Sequence, residues 1–141
     1  MRSKRGNLLS LLVLAAVFLG LSAVPSSAQQ YEQTYGIYTT SQSSSCFGSD
    51  YSEWGPDRSL AVGVSPAIFK VGTNGSPDAC GATMEVKCLS GPCNPGNPTL
   101  QVTVVDLCRS CDDPTIRLTL NAYKKLAFID GDQVLLGYRL V

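Results

Sequence analysis

The sequence contains no histidine among its 141 residues. Histidine is the commonest general base near neutral pH and a frequent zinc ligand, so its absence excludes the catalytic and metal-binding arrangements that depend on an imidazole. A basic stripe and a run of lysines are also missing, which excludes the charge pattern typical of nucleic-acid-binding proteins. The sequence therefore predicts no nucleic-acid partner, and it indicates no metal site and no cofactor.

Long apolar segments are absent too, apart from one near the N-terminus at residues 8–21. Three basic residues precede it, namely Arg2, Lys4 and Arg5. A basic start, an apolar stretch and then small residues are typical of a secretory signal peptide. A membrane anchor is the alternative, but the stretch is shorter than the roughly 20 residues that span a bilayer. We predict a signal peptide over residues 1–28 and one secreted domain over residues 29–141, with no membrane insertion after cleavage.

Charge is sparse, with 11 basic and 11 acidic residues in the whole chain. Three of the basic residues lie in the predicted signal peptide, so the predicted mature domain carries a net charge of −3. Its length is enough for one domain and no more. We expect a monomer.

Six cysteines lie in the predicted mature domain. An even number in a short secreted chain predicts three disulfides, whose pairing the sequence alone leaves open. The alternatives are a zinc site, because the spacings resemble a zinc ribbon, and a redox-active Cys-x-x-Cys pair. The oxidising compartment that a signal peptide implies favours structural disulfides over both. The six residues are Cys46, Cys80, Cys88, Cys93, Cys108 and Cys111.

Alternation of apolar and polar residues predicts strands in most of the second half of the chain. Residues 59–69 are apolar and predicted to be extended, and residues 121–127 have the pattern of a short helix. These elements predict an all-β domain, a small barrel or sandwich with five or six strands and one helix. The predicted strands lie at residues 35–40, 82–88, 100–107, 115–120 and 134–141.

Several short motifs follow one another in an order that resembles a known superfamily. They are ACG at 79–81, MEVKC at 84–88, VTVVDLC at 102–108, IRLTLNAYKKLA at 116–127 and GYRLV at 137–141. The chain resembles the expansin-like (RlpA-like) superfamily, which includes expansin N-terminal domains and family-45 endoglucanases. It is most similar to the small endoglucanase-45-like members, the plant natriuretic peptide group. The resemblance implies an all-β, six-stranded double-psi β-barrel with one short helix and an open groove across one face.

The resemblance also has implications for the cysteines and for the location of the protein. By analogy with expansins, Cys46 pairs with Cys80 and Cys88 with Cys93, which leaves Cys108 to pair with Cys111. The family implies an extracellular location, in the apoplast or cell wall. Expansins carry a second, carbohydrate-binding domain, which we do not expect here.

One departure from the family bears on catalysis. Hydrolases of this superfamily use two carboxylates, one to protonate the leaving oxygen and one to activate water. One of them lies in a D-L-S element, and the matching residues here are Arg117, Leu118 and Thr119. A guanidinium offers no proton at working pH. The other carboxylate has no counterpart in residues 33–45, and the lytic transglycosylases of this fold need a histidine. We therefore predict that the protein is not an enzyme and has no catalytic residue.

Asp106 is the acidic residue that still matches the family, and it has two interpretations. It either contacts a ligand or is a groove-edge carboxylate bonded to nearby backbone. Four aromatic residues are plausible stacking surfaces for sugar rings, with core or loop packing as the alternative: Tyr35, Tyr38, Tyr51 and Trp54. The candidate groove and ligand residues are thus Asp106, Tyr38, Tyr51, Trp54 and Arg117.

Three functions are compatible with these features. We favour a mobile extracellular signal, similar to plant natriuretic peptides, that acts on ion and water homeostasis or defence through a membrane receptor. A cell-wall polysaccharide-binding module is the first alternative. The second is a weak family-45-like glycoside hydrolase in which Asp106 acts with Asp112 or Asp113, although acidic residues in such a turn commonly serve as turn formers. Asn74 begins an N-glycosylation sequon, and Pro77 directly follows it.

Overall fold

The computed structural model describes residues 30–40, 44–48, 57–72, 78–96, 98–131 and 133–141. The predicted signal peptide, Tyr51, Trp54 and Asn74 lie outside these residues. Within the described part of the chain, no helix is long and apolar enough to cross a membrane.

The described residues form six strands that close into a barrel and two short helices. The barrel order is β1-β5-β2-β4-β3-β6. This agrees with the predicted all-β, six-stranded barrel. The strands are β1 (Glu32–Thr39), β2 (Ala61–Val64), β3 (Thr83–Ser90), β4 (Thr99–Leu107), β5 (Thr115–Thr119) and β6 (Val134–Leu140), and the helices are α1 (Pro66–Phe69) and α2 (Leu120–Leu126).

The one-turn helix α1 was not predicted, because its residues were expected to be extended and a single helix was expected in all. Pro66 opens this helix, where its fixed φ is suitable and its missing N–H costs no hydrogen bond. The Asp113 side chain accepts a hydrogen bond from the Ala67 backbone N–H at 3.1 Å. The structure therefore has one short helix more than expected. A tertiary contact with the β4–β5 connection stabilises this extra helix.

Two parallel strand pairs distinguish this barrel from a simple meander. β1 pairs in parallel with β5, and β2 pairs in parallel with β4, whereas the other neighbours are antiparallel. The β2–β4 register shifts between Val62 and Gly63, so that Gly63 lies opposite Asp106 rather than Val105. A shift of this kind marks a β-bulge, which places two consecutive residues of β4 on the same side of the sheet.

The core fills the inside of the barrel with the residues that alternation assigns to it. Met84, Val86 and Cys88 of β3 are all buried, as are Ile116 and Leu118 of β5. Apolar burial of this kind is the main favourable contribution to folding. The α2 residues Tyr123 and Leu126 belong to the same cluster, so the helix packs against the barrel interior.

All six cysteines are paired. The bonds join Cys46 to Cys80, Cys88 to Cys93, and Cys108 to Cys111, as the resemblance implies. Their Cα atoms are 5.5, 5.6 and 5.3 Å apart, which is the ordinary separation for a disulfide. The Cys-x-x-Cys motif is therefore a disulfide within the β4–β5 connection.

Candidate functional site

Four residues on four neighbouring strands form a row on the outside of the barrel. Ile37 of β1 lies beside Arg117 of β5, Arg117 lies beside Gly63 of β2, and Gly63 lies beside Asp106 of β4. Adjacent strands are about 4.8 Å apart, so the row spans the width of four strands. We call these four residues the outer row.

An ion pair crosses the middle of the outer row. The Arg117 guanidinium donates a hydrogen bond to Asp106 Oδ2 at 2.8 Å, although β2 lies between their strands. Gly63 of β2 leaves room for this crossing. A Cβ at Gly63 would lie 3.4 Å from Asp106 Cβ and 3.5 Å from its Oδ2, so a larger side chain would compete with the ion pair for the same space.

The bulge in β4 explains why Asp106 faces outward at all. Val102 and Val104 point into the core, and uninterrupted alternation would send Asp106 inward with them. The extra residue reverses the alternation, so Val105 and Asp106 both lie on the outer side. The bulge therefore keeps a carboxylate out of the core and brings it to Arg117.

The other oxygen of Asp106 holds a loop. Asp106 Oδ1 accepts a hydrogen bond from the Ser45 backbone N–H at 2.8 Å, and Ser45 Oγ accepts one from the Leu107 N–H at 2.8 Å. The Cys46 N–H donates to the Val105 carbonyl at 3.2 Å. Asp106 is only 7% exposed. The structure thus places Asp106 in the backbone-bonding role that was one of its two interpretations, with Arg117 as its second partner.

Tyr38 lies at the end of the barrel next to the outer row. Its ring packs against Tyr123 of α2, with centroids 5.2 Å apart and planes tilted by 58°, and the residue is 39% exposed. It lines a recess of about 350 Å³, which we call the aromatic recess, together with Ile37, Ile129, Asp130 and Gly131. Tyr38 therefore presents part of its ring to a cavity that begins at the outer row.

A second recess adjoins the other side of the same strand end. It has a volume of about 180 Å³, and five of its six lining residues carry a hydroxyl or amide side chain. Thr39 and Thr119 are neighbours across β1 and β5, and the Thr119 hydroxyl donates to the Ser59 carbonyl. We call it the hydroxyl recess, and its lining residues are Thr39, Thr40, Ser59, Thr119, Leu120 and Asn121.

The outer row, the aromatic recess and the hydroxyl recess form one candidate face. The structure brings together three of the predicted groove residues, Asp106, Arg117 and Tyr38. Tyr35 is 49% exposed on the same strand but lines neither recess. Gly63 and Ser45 were missed, because a glycine between two valines and a serine in a polar run carry no signal until their partners are known.

The hydrolase alternative requires Asp106 to act with Asp112 or Asp113. Asp112 and Asp113 are exposed in the turn before β5, and Asp113 is bonded to the backbone of α1. Asp106 accepts hydrogen bonds on both oxygens. A carboxyl that must deliver a proton has to donate a hydrogen bond, whereas Asp106 and Asp113 accept theirs from N–H groups.

Solved structures share this fold. A variant of a Clavibacter michiganensis expansin, in complex with cellohexaose, aligns with 79% of this chain and 50% of its own, with a TM-score of 0.54 and 19% identity. The apo form of the same expansin gives the same coverage and identity with a TM-score of 0.55. A Streptomyces papain inhibitor aligns with 78% of this chain and 94% of its own, at a TM-score of 0.49 and 23% identity. No family model matches the chain.

The two expansin alignments show that this chain shares the fold of those structures. The fold is a closed, six-stranded double-psi β-barrel, as predicted. The chain spans about half the length of the expansins that it matches. The narrower assignment to the endoglucanase-45-like and plant natriuretic peptide group stays a prediction.

Proposed function

We propose that this protein is a secreted, non-hydrolytic expansin-like barrel that binds cell-wall polysaccharide through the candidate face. The proposal is supported by the shared fold with an expansin that was solved with cellohexaose. Three disulfides suit an oxidising extracellular setting. Secretion itself rests on the predicted signal peptide, and cleavage after Ala28 would be checked by N-terminal sequencing of the secreted product.

The observation that carries the proposal is the exposed ring of Tyr38 at the junction of the two recesses. Tyr38 lines the aromatic recess, and the next residue, Thr39, lines the hydroxyl recess. Sugar rings stack on aromatic faces while their hydroxyls exchange hydrogen bonds with polar side chains. The candidate face offers both kinds of contact within a few residues of β1.

The absence of hydrolysis is proposed from the ion pair. Glycoside hydrolysis needs one carboxylic acid that donates a proton and one carboxylate that acts on water or on the sugar. In the outer row, a guanidinium lies beside the single carboxylate, and that carboxylate accepts hydrogen bonds from Arg117 and Ser45. The guanidinium of Arg117 cannot replace the carboxylic acid, because it offers no proton at working pH.

A depletion assay with insoluble cellulose, xylan and pectin tests the proposal. The protein remaining in solution and the reducing ends released are both measured. We expect binding to cellulose without release of reducing ends, and we expect Tyr38→Ala to weaken that binding about tenfold because a stacking surface is lost. Tyr35→Ala is the matched control, since Tyr35 is the more exposed ring on the same strand but lines neither recess. Equal losses in the two variants, or released sugar from the wild type, would contradict the proposal.

The signalling function that the sequence favours is the second candidate. It is supported by the motifs shared with the plant natriuretic peptide group and would require a membrane receptor. This function predicts two results together: the protein binds saturably to plant cell membranes, and none of the three polysaccharides depletes it from solution. We place it second because two of the structural neighbours are expansin structures, one of them in complex with cellohexaose.

A further inference from the structure

Among the described residues of the outer row and the two recesses, the charged side chains are Arg117, Asp106 and Asp130. Arg117 and Asp106 are 2.8 Å apart, and Asp130 lines the aromatic recess. Among the described residues that line the hydroxyl recess there is no ionisable side chain. The cation of this face therefore has its charge cancelled at contact distance, and a negative charge lies nearby.

A face with this balance of charge distinguishes between classes of polysaccharide. An uncharged glycan needs only hydrogen bonds and ring contacts, which the two recesses supply. A uronic-acid polymer brings a carboxylate for every sugar, and its natural partner would be Arg117. A uronate that approached the exposed part of that guanidinium would find its charge already compensated by Asp106, which is 7% exposed and also bonded to the Ser45 N–H. Asp130 would repel it as well.

We infer that Asp106 determines the charge class of the glycan bound here: by cancelling Arg117, it makes the face accept uncharged glycans and reject uronic-acid polymers. The inference rests on the proposed function, because it concerns which polysaccharide binds to the candidate face. Asp106 does not have to touch the glycan, since it acts through Arg117.

Two oligosaccharides of equal length separate the charge effect from the size effect. Cellohexaose is neutral, and hexagalacturonate carries a carboxylate on each sugar. Each is titrated calorimetrically into the secreted, oxidised protein at low ionic strength. We expect the wild type to bind cellohexaose at least about tenfold more tightly than hexagalacturonate. Asp106→Asn should reduce this ratio of affinities by about tenfold, because Arg117 loses its anionic partner.

The double variant Asp106→Asn/Arg117→Gln is the matched control, because it removes one charge of each sign and leaves the net charge of the face unchanged. We expect its ratio to return towards that of the wild type. Added salt should weaken the hexagalacturonate binding of Asp106→Asn and leave cellohexaose binding unchanged. Asp130→Asn, in an exposed loop, should narrow the ratio to a smaller extent.

The outcomes distinguish the inference from the function on which it rests. If Asp106→Asn binds cellohexaose but gains nothing for hexagalacturonate, or if the wild type binds both equally, the inference is wrong and the proposed function stands. If the wild type fails to bind cellohexaose, the proposed function is wrong and the inference with it. If Asp106→Asn does not fold, two other variants test the inference. Asp130→Asn must then strengthen hexagalacturonate binding and Arg117→Gln must weaken it. Any other result overturns the inference.

Discussion

Two arginine–carboxylate pairs lie on opposite sides of this barrel and differ in what they hold together. Arg139 of β6 and Glu85 of β3 are direct partners in the register of adjacent strands, with a shortest N–O distance of 2.6 Å. Arg117 and Asp106 are 2.8 Å apart, with β2 between their strands. The first pair joins neighbours, whereas the second spans three strands.

The surroundings of the two pairs differ as well. Glu85 accepts a hydrogen bond from the Tyr31 hydroxyl, and the Lys87 ammonium lies 4.0 Å from the centre of the Tyr31 ring. This cluster is an outer strand face covered by one aromatic side chain. Asp106 instead binds the backbone of a loop that a disulfide also holds.

The same kind of ion pair therefore has different structural consequences at the two places. The Glu85 pair follows from strand alternation and supports the sheet locally. The Asp106 pair depends on a bulge and on a glycine in the strand between its partners, and it fastens a segment that is distant in sequence. Removing a partner should therefore cost more at the second pair than at the first.

The largest expected effect is on the loop that Asp106 holds. Cys46 and Cys80 are 34 residues apart, whereas Cys108 and Cys111 are three apart. Loop-closure entropy gives about 4 kcal/mol for the longer loop and about 2 kcal/mol for the shorter one. We expect Cys46→Ser/Cys80→Ser to lower the free energy of unfolding about twice as much as Cys108→Ser/Cys111→Ser, measured by denaturant titration. Equal losses would show that native-state strain outweighs chain entropy.

Asp106→Ala should have the next largest effect. It removes the partner of Arg117 and leaves the Ser45 N–H without its acceptor, at an expected cost of about 2–3 kcal/mol. Glu85→Ala removes a carboxylate from the more accessible cluster, and we expect a smaller loss. Thermal unfolding of the two variants under the same conditions makes the comparison directly. A loss at Glu85 as large as that at Asp106 would contradict the difference drawn between the two pairs.

Gly63 tests whether the space between the strands matters. An alanine Cβ there would make ordinary van der Waals contact with Asp106 at 3.4 Å, so Gly63→Ala should be nearly neutral. Gly63→Val adds two methyl groups in the path of the ion pair and should cost about 1–2 kcal/mol, although valine favours strands. Denaturant midpoints of both variants decide the question. A neutral valine would mean that Arg117 can reach Asp106 by another route.

The smallest expected effect is a pH dependence at Glu85. Hydrogen bonding from Tyr31, with further support from Arg139, holds the pKa of Glu85 below its ordinary value of 4.5. A lowered pKa in the folded state stabilises the protein above the ordinary value, and this contribution is lost as the pH falls through the folded-state pKa. The difference in melting temperature between the wild type and Glu85→Gln should therefore shrink as the pH is lowered through this range. A difference that is unchanged at acid pH would show that Glu85 contributes by packing alone.

Much of the fold could be predicted from the sequence, and less of the candidate face. Period-two alternation in β3 and β5 indicated which residues are buried, because each strand has one face in a continuous apolar core. The sequence identified Asp106 as an acidic residue that matches the family, and Arg117 as the residue that replaces a carboxylate of the hydrolases. Their contact was not predicted, because the sequence does not show that β2 inserts between β4 and β5. The role of Tyr51 and Trp54 stays a prediction.

Local periodicity and composition were enough to predict the strand faces, the secretory pattern of the N-terminus and a cysteine count that suits three disulfides. The outward orientation of Asp106 follows from the closed barrel alone, because the β4 bulge appears only in the pairing of β2 with β4. The same is true of the contact across Gly63, which requires three strands to be placed side by side. The polarity of individual residues is encoded locally, whereas the meeting of an arginine and an aspartate from different strands is a property of the closed barrel.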